Sequence, residues 1–205
     1  MLSSRPSIFA VVIAITSGVT LGALAPLLGT VETSTGHAAH LVLAAGWSWA
    51  ALAFCVGLAR KSRVESAIFS ASSLVSAIIA YYITKLGQGE FLTAVPPYEG
   101  TQIHWYGFLS KTIFWCLVAA ILGPLLGLAG NLARNPGIRT LPCRALIPFI
   151  AIVETTERLH VEASLQGEVA STTWAIVRLI AVAAFITIVV QVAIDRGPQP
   201  SVRRR

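Results

Sequence analysis

Long apolar segments separated by short polar turns dominate this chain. Each of the longer segments approaches the ~20 apolar residues that a helix needs to cross ~30 Å of hydrocarbon. They cover residues 8–28, 40–58, 64–86, 108–132, 141–159 and 172–194. The pattern predicts an all-α integral membrane bundle of about six transmembrane helices, which forms a single transmembrane domain over residues 1–205.

The composition agrees with a membrane protein. Hydrophobic residues make up 55% of the chain and charged residues 12%, whereas a soluble domain carries about 25% charged residues. We therefore expect a multi-pass protein of the cell membrane, and the lipid bilayer is one of its expected partners. The three cysteines, Cys55, Cys116 and Cys143, show no metal-binding spacing, so no zinc site or disulfide framework is predicted.

Basic residues divide unevenly between the two ends of the predicted spans. One end has Arg5, Arg60, Lys61, Arg63, Arg134, Arg139, Arg144, Arg196, Arg203, Arg204 and Arg205, and the other has Lys85, Lys111 and Arg158. The positive-inside rule places the first end, with both termini, in the cytoplasm, and residues 196–205 become a basic cytoplasmic tail. The net charge of +6 follows this membrane rule, so no nucleic-acid partner is predicted.

The first span contains two glycines four residues apart, Gly18 and Gly22. Small residues at this spacing let two membrane helices approach closely. We interpret the pair as a helix-packing face.

The fifth span ends in a group of ionisable residues. The segment LIPFIAIVETTERLH, residues 146–160, places Glu154 inside apolar sequence, where ionisable side chains are functional candidates. Glu154 is therefore a candidate general acid. Its alternative role is an ordinary ion pair with Arg158 one helical turn away. Glu32, beyond the first span, and Glu157, near the membrane interface, are further candidate acids.

Aromatic residues gather in the outer halves of the predicted spans. They are Trp47, Trp49, Tyr81, Tyr82, Trp105, Tyr106, Trp115 and Trp174. An interfacial aromatic belt is one interpretation, but such belts normally occur at both membrane interfaces. The other interpretation is that several of these rings line a pocket, and the sequence leaves both open.

Several catalytic motifs are absent. Asp195 is the sole aspartate, so no paired-aspartate motif exists to hold magnesium and a pyrophosphate, and no HExxH, GxSxG or P-loop pattern occurs. No metal and no other cofactor is predicted.

Four segments carry a resemblance to a known family. They are GWSWAALAFCVGLAR at 46–60, IIAYYITKLG at 78–87, FWCLVAAILGPLLGLAGNLAR at 114–134 and RALIPFIAIVETTERL at 144–159. Together they resemble a family of small multi-span bacterial membrane proteins that includes the membrane terpene cyclases of drimentine-type, indole-sesquiterpene pathways. The resemblance implies an enzyme that protonates the terminal alkene of a farnesylated indole-type substrate and cyclises it through carbocations, without metal.

The resemblance also implies roles for the residues noted above. Glu154 would supply the proton, and Glu32 or Glu157 would be the alternative acid or the terminal base. The substrate-binding rings that surround the cations would be Trp47, Trp49, Tyr81, Tyr82, Trp105 and Trp115. The competing interpretation is a non-enzymatic transporter subunit or scaffold, in which the rings face neighbouring helices and Glu154 is ion-paired. The sequence does not indicate the oligomeric state.

Overall fold

The computed structural model describes residues 8–94, 101–135, 137–161 and 163–194, without the side chains of residues 163–166. Seven α-helices lie within these ranges. They are α1 Ile8–Leu28, α2 Ser34–Ala44, α3 Gly46–Leu58, α4 Arg63–Gly87, α5 Trp105–Ala133, α6 Leu141–Val161 and α7 Ala163–Ile194. The predicted basic tail, residues 196–205, lies outside the described residues.

The number of candidate membrane spans is smaller than the sequence predicted. Among the described residues, α1, α4, α5 and the Gly167–Ile194 part of α7 are long and apolar enough to cross a membrane. A fifth span exists if α2 and α3, which meet at a bend of 60°, count as one broken span. The six predicted spans are therefore not confirmed. The predicted span 141–159 corresponds to α6, which has the length of a span but carries four charged side chains.

Helices α1 and α4 pack side by side and run in the same direction. Gly18 lies against Ser73 and Gly22 against Ala77, and a Cβ added at Gly22 would lie 2.0 Å from the Ala77 carbonyl oxygen. Only glycine allows so close an approach of two backbones. The predicted packing face at Gly18 and Gly22 is confirmed.

Buried serines join α4 to α3. The Ser66 hydroxyl donates to the Gly57 carbonyl at 3.1 Å, and the Ser70 hydroxyl donates to the Ala53 carbonyl at 2.6 Å. Small hydroxyl side chains allow close helix packing and satisfy their polar atoms inside an apolar bundle. Helix α3 therefore lies tightly against α4.

Three helix termini meet at one end of the bundle. The Arg60 carbonyl accepts hydrogen bonds from Asn131 Nδ2 at 2.7 Å and from Arg134 Nη1 at 2.9 Å. Arg144 Nε donates to the Ala133 carbonyl at 3.1 Å. These bonds hold the end of α3, the end of α5 and the start of α6 together, and they gather three arginines at that end.

We expect Asn131→Ala to lower the free energy of unfolding by about 0.5–1.5 kcal/mol, because the Arg60 carbonyl loses one of its two donors. Asn131 is 8% exposed. Thermal unfolding of the purified protein in detergent measures the effect. Asn135→Ala, an exposed position on the same helix end, is the matched control, and equal losses in both variants would contradict the prediction.

A short β-hairpin lies at the opposite end, so the all-α prediction was incomplete. Strands β1 Leu92–Ala94 and β2 Thr101–Ile103 pair antiparallel, with Leu92 opposite Ile103. The hairpin directly precedes α5. Just before the first turn of α5, the His104 N–H donates a hydrogen bond to the Phe91 carbonyl at 2.8 Å. The hairpin thus fixes the start of α5 beside the end of α4.

Candidate functional site

The break between α2 and α3 interrupts the predicted span 40–58. Ala45 is extended there, with φ −69° and ψ 143°. A helix terminus leaves backbone groups without partners, and such groups are costly in hydrocarbon. Two side chains of α3 satisfy the last carbonyls of α2: Ser48 Oγ donates to Val42 and Trp49 Nε1 donates to Leu43 at 3.0 Å.

Glu154 accepts hydrogen bonds from the N–H groups on the other side of the break, at the start of α3. The Gly46 N–H donates to Oε1 of Glu154 at 2.9 Å, and the Trp47 N–H donates to Oε2 at 2.7 Å. A Cβ at Gly46 would lie 3.3 Å from that carboxylate, so glycine leaves room for the contact. The positive end of the α3 dipole favours a negative group at this position. The carboxylate of α6 therefore acts as the N-terminal cap of α3.

Arg158 holds the same carboxylate. Its Nε and Nη2 atoms each lie 3.0 Å from Oε1 of Glu154, so the ion pair that the sequence offered as an alternative is present. The Arg158 guanidinium also lies 4.8 Å from the centre of the Trp174 ring, which is within cation–π range. Trp174 is fully buried and fixes the guanidinium from the side of α7.

A cavity of about 480 Å³ lies between α3, α4, α5 and α6, and we call it the central cavity. Its polar wall is the Glu154–Arg158 pair. Four of the rings selected from the sequence line it, namely Trp49, Tyr81, Tyr82 and Trp115, and the rest of the wall is mainly aliphatic.

The central cavity is deep on one side and open on the other. On the deep side, Leu74, Ile78 and Ala119 are 5%, 7% and 2% exposed. On the open side, Trp115 and Leu122 are 46% and 47% exposed. The opening therefore lies along α5, which is one of the candidate membrane spans.

A chain of aromatic rings leads from the central cavity to the hairpin. Successive centroid distances are 5.7 Å for Trp49–Tyr81, 5.4 Å for Tyr81–Tyr82, 6.3 Å for Tyr82–Phe91, 5.5 Å for Phe91–Phe108 and 6.1 Å for Phe108–Trp105. These distances fall within the range of favourable ring pairs. The chain makes the aromatic wall of the cavity part of a packed cluster rather than a set of separate side chains.

The structure places four predicted site residues outside the cavity lining. The Trp47 ring packs with Leu41 and Trp174 on α2 and α7, so Trp47 contributes its backbone N–H to the site. Trp105 is 55% exposed at the start of α5. Glu32 and Glu157 are exposed, and neither lines the cavity.

Sequence reasoning missed Trp174 as a contact of Arg158 and missed the aliphatic wall on α4 and α5. The contact joins two different helices, and no sequence spacing indicates which rings will meet. Within the part of the chain that the structure describes, no three His, Cys, Asp or Glu side chains come together in a way that could hold a metal ion.

The site combines one carboxylate, one guanidinium, four rings and an aliphatic wall. Among the described lining residues, the charged groups are Glu154 and Arg158, and the rest of the cavity suits the mainly apolar body of a small molecule.

These features define a helical bundle with several candidate membrane spans built around an apolar cavity with an aromatic wall. The chain belongs to a family of unknown function, DUF6518, whose model matches residues 1–202. The comparison with curated proteins finds no match, and neither does the comparison with solved structures. The resemblance to membrane terpene cyclases stays a prediction.

Proposed function

We propose that this protein is a membrane-embedded terpene cyclase that protonates the terminal alkene of a farnesylated indole-type substrate and closes rings through carbocations, without a metal. The observation that carries the proposal is one carboxyl group and four aromatic rings on the wall of an otherwise aliphatic cavity. The volume of about 480 Å³ lies within the range of small-molecule sites.

The first step transfers a proton from Glu154 to the substrate. It requires Glu154 to take up a proton from water beforehand, because the structure pairs its carboxylate with Arg158. The π electrons of the terminal alkene form the new C–H bond, and the electrons of the broken O–H bond stay on the carboxylate. That anion is stabilised by the N–H groups of Gly46 and Trp47 and by Arg158. Because these donors are already in place before the reaction, they need no rearrangement as the charge develops.

The aromatic wall stabilises the cations that follow. Each ring that faces a desolvated cation contributes up to ~2 kcal/mol, and Trp49, Tyr81, Tyr82 and Trp115 line the cavity. Among the described residues of the lining, Glu154 is the one carboxylic acid. We therefore assign the final proton to its carboxylate, so that the reaction is an isomerisation and the acid is regenerated.

The opening along α5 suits a hydrophobic prenylated substrate. Trp115 and Leu122 border this opening, and α5 is apolar enough to lie in hydrocarbon. A substrate dissolved in the bilayer would reach the cavity sideways, without passing through water.

A second candidate function is non-enzymatic ligand binding, as in a transporter subunit or scaffold. The observation that favours it is the engagement of Glu154, whose two oxygens accept bonds from two backbone N–H groups and from Arg158. In that case the carboxylate stays ionised, and its role is to hold the broken helix and shape the cavity.

The experiment that tests catalysis supplies a farnesylated indole to membranes that contain the protein, in H2O and in D2O. In H2O we expect an isomer with the mass of the substrate. In D2O we expect the same isomer with one hydrogen replaced by deuterium, because the proton that starts the reaction comes from an exchangeable carboxyl group. A ligand that binds but is recovered unchanged would contradict the cyclase and support the second candidate.

We expect Leu122→Trp to lower product formation and ligand binding at least about tenfold, since a loss of ~1.4 kcal/mol of binding free energy suffices. Leu122 borders the opening, so a larger side chain there narrows it. Leu125→Trp is the control, because Leu125 is 58% exposed on the same helix and does not line the cavity. Equal losses in the two variants would show that the ligand does not use this cavity.

We also propose that α6 is a sixth crossing and that both termini are cytoplasmic. The arginines gathered at one end, Arg60, Arg134 and Arg144, support this orientation through the positive-inside rule. A C-terminal green fluorescent protein fusion should fluoresce, and a C-terminal alkaline phosphatase fusion should be inactive. An active phosphatase would show that the C-terminus lies outside the cytoplasm, and this result would contradict the sixth crossing.

A further inference from the structure

We propose that a groove between α6 and α7 binds one anionic phospholipid, with an acyl chain in the groove and the phosphate beside Arg139. This site is separate from the central cavity, and the proposal does not depend on the cyclase activity. The groove has a volume of about 410 Å³ and is lined by Leu141, Pro142, Leu146 and Phe149 of α6 and by Phe185 and Val189 of α7.

The groove has the shape and chemistry of a site for hydrocarbon. Pro142, Leu146 and Phe149 recur at the spacing of one helix face, so the groove follows α6 for about 12 Å at ~1.5 Å per residue. Phe149 is 55% exposed and Val189 is 38% exposed. The lining side chains that the structure describes are all apolar, which suits an acyl chain.

One end of the groove is basic. Leu141 and Pro142, which line this end, directly follow the 3₁₀ turn Ile138–Thr140, which carries the exposed Arg139. Arg144 lies one turn further, and its Nε bond to the Ala133 carbonyl ties this end to the terminus of α5. The ligand that matches the whole site therefore has a hydrocarbon chain and an anionic group at one end.

The position of the basic end relative to the spans identifies that ligand as a membrane phospholipid. Arg60 and Arg134 meet at the same end of the bundle, which the charge pattern assigns to a membrane surface. Basic residues at such a surface attract the phosphates of anionic lipids. An acyl chain extending from that surface would run along α6 towards the bilayer interior, as the groove does.

A matched residue separates this site from general attraction to the membrane surface. Arg63 lies at the same end of the bundle and is exposed, but its helix α4 packs against α1, α3 and α5. A diffuse effect of surface charge would depend on Arg63 and Arg139 alike, whereas binding in the groove depends on Arg139.

The experiment measures lipid retention by native mass spectrometry of the full chain in detergent. Phosphatidylglycerol and phosphatidylcholine with identical acyl chains are the probes. We expect one phosphatidylglycerol molecule to be retained preferentially, and we expect Arg139→Gln to weaken its binding about fivefold. Arg63→Gln should leave binding unchanged.

A second pair of variants tests the acyl chain. Val189→Trp should fill the groove and reduce retention of both lipids, whereas Val190→Trp, at an exposed position outside the lining, should not. Equal effects of Arg139→Gln and Arg63→Gln, equal binding of the two lipids, or full retention by folded Val189→Trp would each overturn the proposal. If Val189→Trp does not fold, the two arginine variants decide the question.

Discussion

Membranes that contain the Glu154→Gln variant will convert a farnesylated indole at least about 100-fold more slowly than wild-type membranes. A positioned general acid typically contributes 10²- to 10⁴-fold to a rate, and glutamine has nearly the same shape but no acidic proton. The measurement is the rate of isomer formation per folded protein, with the deuterium content of the product in D2O as the second readout.

Glu157→Gln is the matched control for this experiment. Glu157 lies one helical turn away on α6, is exposed, and does not line the central cavity. We expect its product yield to equal that of the wild type. If Glu154→Gln also keeps the wild-type rate, Glu154 is not the acid.

The stability of the Glu154→Gln variant has to be measured as well, because the carboxylate also has a structural role. Glutamine offers one acceptor oxygen where Gly46 and Trp47 need two, and it loses the charge that pairs with Arg158. We expect a loss of about 1–3 kcal/mol in the free energy of unfolding. A variant that is destabilised but still binds ligand, in a protein whose wild type forms no product, would support the non-enzymatic alternative.

Gly57→Ala will destabilise the bundle by about 1–3 kcal/mol or more, because the added methyl would collide with the backbone of a neighbouring helix. A Cβ at Gly57 would lie 2.1 Å from the carbonyl oxygen and 2.5 Å from the Cα of Gly127. Both contacts are with backbone, so α3 and α5 must move apart, and overpacking of rigid elements typically costs about 1–3 kcal/mol or more. Thermal unfolding in detergent and the yield of monodisperse protein measure the loss.

Gly87→Ala is the control for this substitution. Within the described part of the chain, no atom beyond the adjacent residues and the backbone of its own helix lies within 4 Å of a Cβ at Gly87, so the added methyl should leave the thermal unfolding temperature nearly unchanged. A Gly57→Ala protein that is as stable as Gly87→Ala would mean that α3 and α5 do not approach as closely as the structure describes.

Much of the fold follows from apolar segments, but the broken helix does not. The predicted first span, residues 8–28, coincides with α1 because polar sequence bounds the apolar run on both sides. The predicted second span, residues 40–58, is interrupted at Ala45, and the sequence did not predict this break because Ala44, Ala45 and Gly46 continue the apolar pattern across it. The N–H groups at the start of α3 depend on an acceptor 108 positions away, Glu154, and a local pattern carries no information about it.

The candidate site was predictable in part for the same reason. The sequence predicted Glu154 as a site residue because an acid within apolar sequence is unusual. It predicted Arg158 as a partner because Arg158 lies one helical turn from Glu154. Spacing alone cannot sort rings that lie on three different helices. Trp49 and Trp115 line the cavity, whereas Trp47 and Trp105 do not. Trp47 points to the other side of α3 because neighbouring residues on a helix face different directions.

The cap on α3 also constrains the order in which the protein is made. Gly46 and Glu154 are 108 positions apart, so at ~5–20 residues per second the ribosome needs roughly 5–20 s to produce the acceptor after the donor. During that interval the first turn of α3 lacks its partner inside the translocon or bilayer. The cap at the start of α3 can therefore form only after α6 has been synthesised, so the second half of the chain completes the break between α2 and α3.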